Sequence, residues 1–292
     1  MHKNILLIND MPGYGKVALG AMIPILSAMG HYIHNLPTAL VSNTLDYGKF
    51  EILETTEYMR RSIVVWNELG FTFDCLCTGF LVTEEQVDII RAFADEEKNK
   101  NLLVISDPIM GDYGKLYNGV DESRIGIMRK LIARADIVIP NLTEACFLTG
   151  LHAGKTEIAE SDIKTLIEGV RALGPKSVVV TSIALKGKKE RVVGVYDHKL
   201  DRTFCLPYAH VPVVVPGTGD IFSAVMTGKL LNGDPLVEAV RMAMGAVRFL
   251  IDHSLSSKDT FRGLLIEKFI TSIEDISKIT ELNEDIREIR QG

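Results

Sequence analysis

The sequence predicts an α/β protein with a central, mostly parallel sheet flanked by helices, and two observations carry that prediction. Short apolar runs recur at residues 4–8, 75–78, 102–106, 136–139 and 177–181, and helix-length stretches fill the intervals. Alternation of this kind builds right-handed β-α-β crossovers, whose strands are buried on both faces and read as unbroken apolar segments. Several runs also end on turn or polar residues: Asn9-Asp10, Gly79-Phe80, Asp107-Pro108 and Pro140-Asn141. Ligands gather at the carboxyl ends of parallel strands, so these residues are expected to be neighbours.

Composition sets the bounds. The 292 residues, 47% of them hydrophobic, can bury one large core, and no repeat, low-complexity linker or composition break divides the chain. A single domain over 1–292 is expected, ending in a helical segment at about 259–292. There Ile273, Ile276, Ile279, Leu282, Ile286 and Ile289 form an apolar stripe. The net charge of -6 disfavours a general nucleic-acid surface and suits anionic ligands held by local amides and metal ions. Cys75, Cys77, Cys146 and Cys205 lie in or beside apolar segments without paired C-x-x-C spacing, as reduced core thiols do. The apolar stretch at 5–8 is too short for a signal sequence and nothing approaches a membrane span, so a cytoplasmic protein with no membrane partner is expected.

In chain order, the strand at 4–8 leads into a loop, 9–16, and a helix at 17–29. The loop has the outline of a P-loop, but Asp10 stands where its first glycine belongs and Val17 replaces the metal-binding hydroxyl, which excludes that reading. An extended segment, 31–36, precedes a polar loop, 41–48, which is either a solvated connection or substrate-facing. A helix at 55–69 and the strand at 75–78 follow. Thr83, with Gln86 three residues on, has the spacing of a capping box. Beyond the strand at 177–181, the runs 192–196 and 203–206 read as a hairpin and 235–252 as an apolar helix.

Three places carry candidate chemistry. Val215-Pro216-Gly217-Thr218-Gly219-Asp220 joins an extended run to a helix over about 219–231. Its glycines let the backbone turn tightly and approach a ligand. The first helical amides then suit a phosphate or a developing anion at the positive end of the helix dipole. An acid inside that anion site makes sense for chemistry: Asp220 can accept a hydroxyl proton while the amides hold the transferred group. At a helix N-terminus it is expected to remain ionised. The same four residues also fit an ordinary strand-to-helix turn. Asp107 with Asp112, and Asn141 with Glu144, mark two further strand ends. Carboxylates there can hold Mg²⁺ against phosphate oxygens, and the segment 107–117 is flexible enough to close over a nucleotide. Taken singly, each is equally a surface turn or a helix start with Glu144 complementing the dipole.

Together these motifs resemble a known family. Asp107-Pro-Ile-Met-Gly-Asp112, Pro140-Asn141-x-x-Glu144, Leu148-Thr149-Gly150 and Gly217-Thr-Gly-Asp220 look like the signature of the ribokinase-like small-molecule kinases. Tyr14-Gly15 and Ser42-Asn43 with Tyr47-Gly48-Lys49 look specifically like the pyridoxal (vitamin B6) kinases, and the resemblance runs from about residue 4 to 251. It implies a three-layer α/β/α domain, ATP and Mg²⁺ as co-substrates, often a stimulating K⁺, and a homodimer. It implies that Asp220 is the base near the 5′-hydroxymethyl group and that Gly217, Thr218 and Gly219 form the anion hole. Asp107, Asn141, Glu144, Thr181 and Ser182 would attend the ATP, with Asp107, Asp112 and Glu144 near the metal. Asp10, Thr44, Leu45, Tyr47 and Phe80 fall on the substrate side.

That side departs from the family pattern. A serine that usually faces the pyridine ring is matched by Asp10, the loop threonine appears as Leu45 beside Thr44, and the usual Gly-Tyr is Gly79-Phe80. Phe80 can still stack on an aromatic ring. An acid at position 10 would favour a protonated ring nitrogen or the amine of pyridoxamine. Two other readings stay open: a hydroxymethylpyrimidine or other ribokinase-like kinase, and a non-catalytic vitamer- or nucleotide-binding protein. Gly-Thr-Gly-Asp, where hydroxymethylpyrimidine kinases resemble Gly-Thr-Gly-Cys, argues against the first. The intact Asp220 and its glycines argue against the second.

Overall fold

The computed structural model describes residues 2–97, 101–117, 120–254, 261–274 and 286–289. They form two compact units, Met1–Leu102 with Val213–Asn283, and Leu103–Pro212 with Glu284–Gly292.

In the first unit, β1 (Asn4–Pro12), β2 (Tyr32–Val41), β3 (Ile52–Glu54) and β4 (Cys75–Thr78) stand in the order β4-β1-β2-β3. β1 runs parallel to β2 and β4, and β3 closes the edge antiparallel. Ile5, Leu6, Leu7 and Ile8 are fully buried, which is why β1 reads as an unbroken apolar run. The unit's helices are α1 (Ala18–Ala28), α2 (Thr56–Leu69), α3 (Glu84–Glu97), α7 (Thr218–Leu231), α8 (Leu236–Ser254) and α9 (Ile266–Glu274). α7 packs against α1 and α8 and buries every residue from Ile221 to Gly228, so it is a core helix rather than an amphipathic one. Burial on all sides anchors its N-terminus, where Asp220 sits.

The second unit holds β5 (Leu103–Ser106), the short antiparallel pair β6 (Gly111–Asp112) and β7 (Lys115–Leu116), β8 (Ile137–Val138), β9 (Ser177–Ala184), β10 (Glu190–Asp197), β11 (Arg202–Ala209) and β12 (Arg287–Glu288). Its sheet order is β12-β11-β10-β9-β8-β5, with β5, β8 and β9 parallel and the outer strands antiparallel. α4 (Ser123–Ile132), α5 (Leu142–Thr149) and α6 (Asp162–Arg171) complete it. The expected α/β fold, with parallel strands and flanking helices, is therefore the one that forms.

Three local expectations change. β1 continues four residues past residue 8, pairing Met11 and Pro12 with Leu40 and Val41 after an irregularity at Asn9, so Asp10 belongs to a strand and not a loop. At α3, Thr83 Oγ accepts from the Gln86 N–H at 3.2 Å, but the return bond runs from the Val82 N–H to Gln86 Oε1 at 2.8 Å, one residue off a capping box. In the tail, α9 is helical, whereas Ile286 and Ile289 flank β12, which pairs antiparallel with β11 and ends any helical stripe there. Ile276, Ile279 and Leu282, and the side chain of Ile273, lie outside the described residues. All four cysteines are free and buried, and among the described residues no helix is long and apolar enough to cross a membrane.

Candidate active site

The first unit gathers a pair of acids at the start of α7. Gly217 caps the helix at φ +85°, and a Cβ there would collide with the Lys16 carbonyl, so the fold itself demands glycine. Gly219 differs: it is exposed in the first turn, and a Cβ would meet nothing within 4 Å. A glycine in a helix costs about 1 kcal/mol relative to alanine, so its place here is explained by room for something outside the chain. No side chain caps this helix start, which leaves its first amides open to a ligand.

Asp220 follows, half-buried. The Ala18 backbone N–H and the Asn9 side-chain amide, at 3.4 Å, donate to its carboxylate, yet burial raises its pKa to about 6. Burial thus outweighs the helix dipole, and the expected fully ionised acid becomes one that titrates just below neutrality. Ala18 makes its contact from a left-handed backbone at φ +46°, a conformation that costs on the order of 1–3 kcal/mol and clusters at functional sites. Asp10 lies close enough to feel the charge: burial first, and the Asp220 carboxylate second, raise its pKa to about 7. The two acids therefore titrate as an interacting pair, in which a charge on Asp220 disfavours one on Asp10.

Asn9 organises this corner. It is 1% exposed, and its Oδ1 accepts from the Phe80 N–H at 2.7 Å and the Asp10 N–H at 3.0 Å. Gly79 is required because a Cβ would strike the Asn9 side chain. Phe80 is held a second time through its carbonyl, which accepts from Thr38 Oγ at 2.7 Å. In the polar loop, Thr44 is framework: it is buried, its Oγ donates to the Phe261 carbonyl at 2.9 Å, and its N–H donates to Tyr14 at 3.0 Å. Leu45 and Tyr47 are exposed, and Tyr47 meets Tyr14 and Phe261 edge-on at 6.0 and 5.6 Å between ring centroids.

The second unit assembles Asp112, Asn141, Glu144, Thr181 and Ser182. Asn141 caps α5 in a complete capping box: its Oδ1 accepts from the Glu144 N–H at 3.0 Å, and Glu144 Oε2 accepts from the Asn141 N–H at 2.9 Å. Glu144 Oε1 takes the N–H groups of Met110 and Gly111 at 3.0 and 3.5 Å, and the Asn141 amide donates to the Gly111 carbonyl at 2.8 Å. Burial raises the Glu144 pKa to about 8 against the pull of these N–H groups. The β6–β7 hairpin turns at Tyr113 and Gly114, φ +51° and +77°, and the Gly114 N–H donates to Thr143 Oγ at 2.8 Å. The segment expected to be flexible is thus clamped onto the start of α5. Asp107 is half-buried at the end of β5. Asp112 accepts from the Tyr113 N–H at 2.7 Å, and burial raises its pKa while the Arg191 charge lowers it. Asp112, Ser182 and Arg191 line a cavity of about 230 Å³. The Thr181 N–H donates to the Pro140 carbonyl at 2.9 Å, and Ser182 leaves regular strand geometry at φ +59°.

Among the described residues, no three His, Cys, Asp or Glu side chains converge as a metal cage. Sequence reasoning missed Asn9, Ala18 and Arg191. Asn9 carried the same signal as Asn141, an amide directly after an apolar run. Ala18 and Arg191 carried none.

An uncapped, glycine-lined helix start with an acid in its first turn suits group transfer to a hydroxyl, and the matching family is one of kinases: a model for phosphomethylpyrimidine kinase matches residues 21–263. The chain belongs to the phosphomethylpyrimidine kinase family. Within that family it is 30% identical to the pyridoxine/pyridoxal/pyridoxamine kinase of Bordetella bronchiseptica, over 82% of this chain and 85% of that protein. It is 31% identical to a phosphomethylpyrimidine kinase candidate from Bacteroides thetaiotaomicron in a crystal form with pyridoxal, with a TM-score of 0.90 over 99% of this chain and 100% of that one. The pyridoxal kinase of Leishmania donovani, in complex with ADP and pyridoxamine, shares the fold at 21% identity, with a TM-score of 0.86 over 99% and 100% of the two chains. The resemblance to the ribokinase-like vitamin B6 kinases is borne out, and this member of the family is a kinase-type phosphotransferase.

Proposed function

We propose that this chain transfers the γ-phosphoryl group of ATP to the 5′-hydroxymethyl oxygen of a vitamin B6 vitamer (pyridoxal, pyridoxamine or pyridoxine), giving the 5′-phosphate and ADP and feeding pyridoxal phosphate salvage. The observation that carries this reading is the place of Asp220 in the first turn of an uncapped helix whose Gly219 the fold does not need; burial raises its pKa to about 6. Near neutrality it is ionised enough to accept the hydroxyl proton as the oxygen attacks phosphorus, while the amides of 217–219 stabilise the phosphoryl group. Phosphoryl transfer asks mainly for positioning and charge stabilisation, so one modest base suffices.

The remaining roles are assigned on that reading. Asp112 and Asp107 are the carboxylates for Mg²⁺. Both carboxylate oxygens of Glu144 are engaged by backbone N–H groups, so Glu144 and Asn141 serve the nucleotide by holding the β6–β7 hairpin. Ser182 lies along the phosphates, with Thr181 fixing the strand before it. Asp10, whose pKa burial raises to about 7, is a hydrogen-bond partner for the pyridine nitrogen or the amine of pyridoxamine, with Phe80 and Tyr47 as aromatic walls. Leu45 borders that loop, and Thr44 shapes it. A cytoplasmic setting fits a kinase whose four cysteines are free thiols, and a stimulating K⁺ is carried over from the family resemblance alone. A homodimer has a ready surface in the exposed apolar residues Leu40, Leu53, Tyr58, Val65 and Leu69 of β2, β3 and α2.

The test is Mg²⁺-ATP turnover against pyridoxal, pyridoxamine, pyridoxine and hydroxymethylpyrimidine. Turnover of a B6 vitamer is the expected result. Turnover of the pyrimidine alone would move the chain to the other heterocycle in the family's name, and ligand binding without turnover would make it a binding protein.

A further inference from the structure

We propose that Arg191 is the cation that grips the polyphosphate of the bound nucleotide, an inference that rests on the kinase reading above. In the antiparallel part of the second unit's sheet, Arg191 stands directly opposite Ala184 on β9 and Tyr208 on β11. Cross-strand partners share a face of a sheet, so Arg191 projects on the same side as both. That face opens into the cavity lined by Arg191, Ser182, Asp112, Thr143 and Glu157.

Arg191 is half-buried, and although Asp112 and Glu157 line the same cavity, it forms no ion pair among the described residues. Its charge does reach its surroundings: it lowers the pKa of Asp112, of His210 and of Tyr208. Tyr208 stands opposite Arg191 across the β10–β11 ladder, and Ser182 lines the same cavity as Arg191, which brings the guanidinium and the serine to one wall. A planar guanidinium held next to a hydroxyl, with donors left over, matches phosphate oxygens in a bidentate fork.

The charges around it select the ligand. Two carboxylates would repel a bare anion, and the arginine would repel a bare metal ion. A divalent cation carried on a polyphosphate satisfies both, with the metal toward Asp112 and phosphate oxygens toward Arg191 and Ser182. Arg191 thus binds nucleotide phosphate and takes no proton in the reaction.

Calorimetric titration of the full chain with Mg²⁺-ADP, and with adenosine by competition, tests this without relying on turnover. Arg191→Ala is expected to weaken ADP about 10- to 100-fold and leave adenosine unchanged, with Arg191→Lys recovering part of the loss. Arg191→Gln keeps a long polar side chain at this half-buried position and guards against a folding defect; it should show the same ADP-specific loss. Unchanged ADP affinity, or equal weakening of ADP and adenosine, overturns the assignment. Wild-type chain that binds no ADP would instead overturn the kinase reading on which it rests.

Discussion

Two helix starts in this molecule carry acids at the same spacing and use them in opposite ways. Asn141 and Glu144 open α5, and Gly217 and Asp220 open α7, each acid three residues after its cap. The Asn141 side chain closes a capping box, and the Glu144 carboxylate disappears into three backbone N–H groups and near-complete burial. Gly217 has no side chain to close such a box, so Asp220 keeps its carboxylate for a proton and the helix amides stay open. In this pair the cap residue, more than the acid, decides whether a helix start is framework or chemistry.

The strongest way to break that contrast is to neutralise each acid in turn. Asp220→Asn should cut kcat by about 10³-fold, in the range that general bases contribute, while ADP affinity measured by calorimetry stays within about threefold. Glu144→Ala should do the reverse in kind. It strands buried N–H groups and should cost about 2–4 kcal/mol by urea denaturation, loosening the β6–β7 hairpin in hydrogen exchange. Equal destabilisation by both changes would erase the distinction.

The glycines sharpen it further. Gly217→Ala forces a left-handed alanine against the Lys16 carbonyl and should destabilise by about 1–3 kcal/mol. Gly219→Ala should raise the melting temperature slightly, by about 0.5–1 kcal/mol of stability, while slowing turnover at least several-fold because its methyl group fills ligand space.

The smallest expected effect comes from Asp10. Its pKa rises from 3.8 in the unfolded chain to about 7 in the fold, so the folded state binds the extra proton between those values and the associated stability is lost as pH rises through 7. Asp10→Asn removes that loss. Its melting temperature should exceed wild type by about 2–4 °C at pH 8, with the gap closing toward pH 5.

Most of the fold was legible because buried parallel strands announce themselves as apolar runs, as Ile5 to Ile8 and Cys75 to Thr78 do. The end of β1 was not, because Asn9 and Asp10 look like loop residues while their backbone stays in the ladder. The Gly-Thr-Gly-Asp start of α7 was legible as an anion site from residue chemistry alone. The inward role of Glu144 was not, since sequence cannot say which backbone N–H groups a carboxylate will find. Nor could it foresee that burial would lift Asp220 and Asp10, which depends on what packs around them. Arg191 stayed hidden because cross-strand register, not local sequence, brings it to Ser182.

The role of Asp220 as the base is read out by the pH dependence of kcat/KM for pyridoxal phosphorylation, because its acid limb reports the free enzyme's essential base. A single acid limb near pH 6 is expected, set by Asp220 and lost with the activity in Asp220→Asn. A profile flat from pH 5 to 8, or an Asp220→Asn enzyme that keeps the wild-type limb, would contradict it.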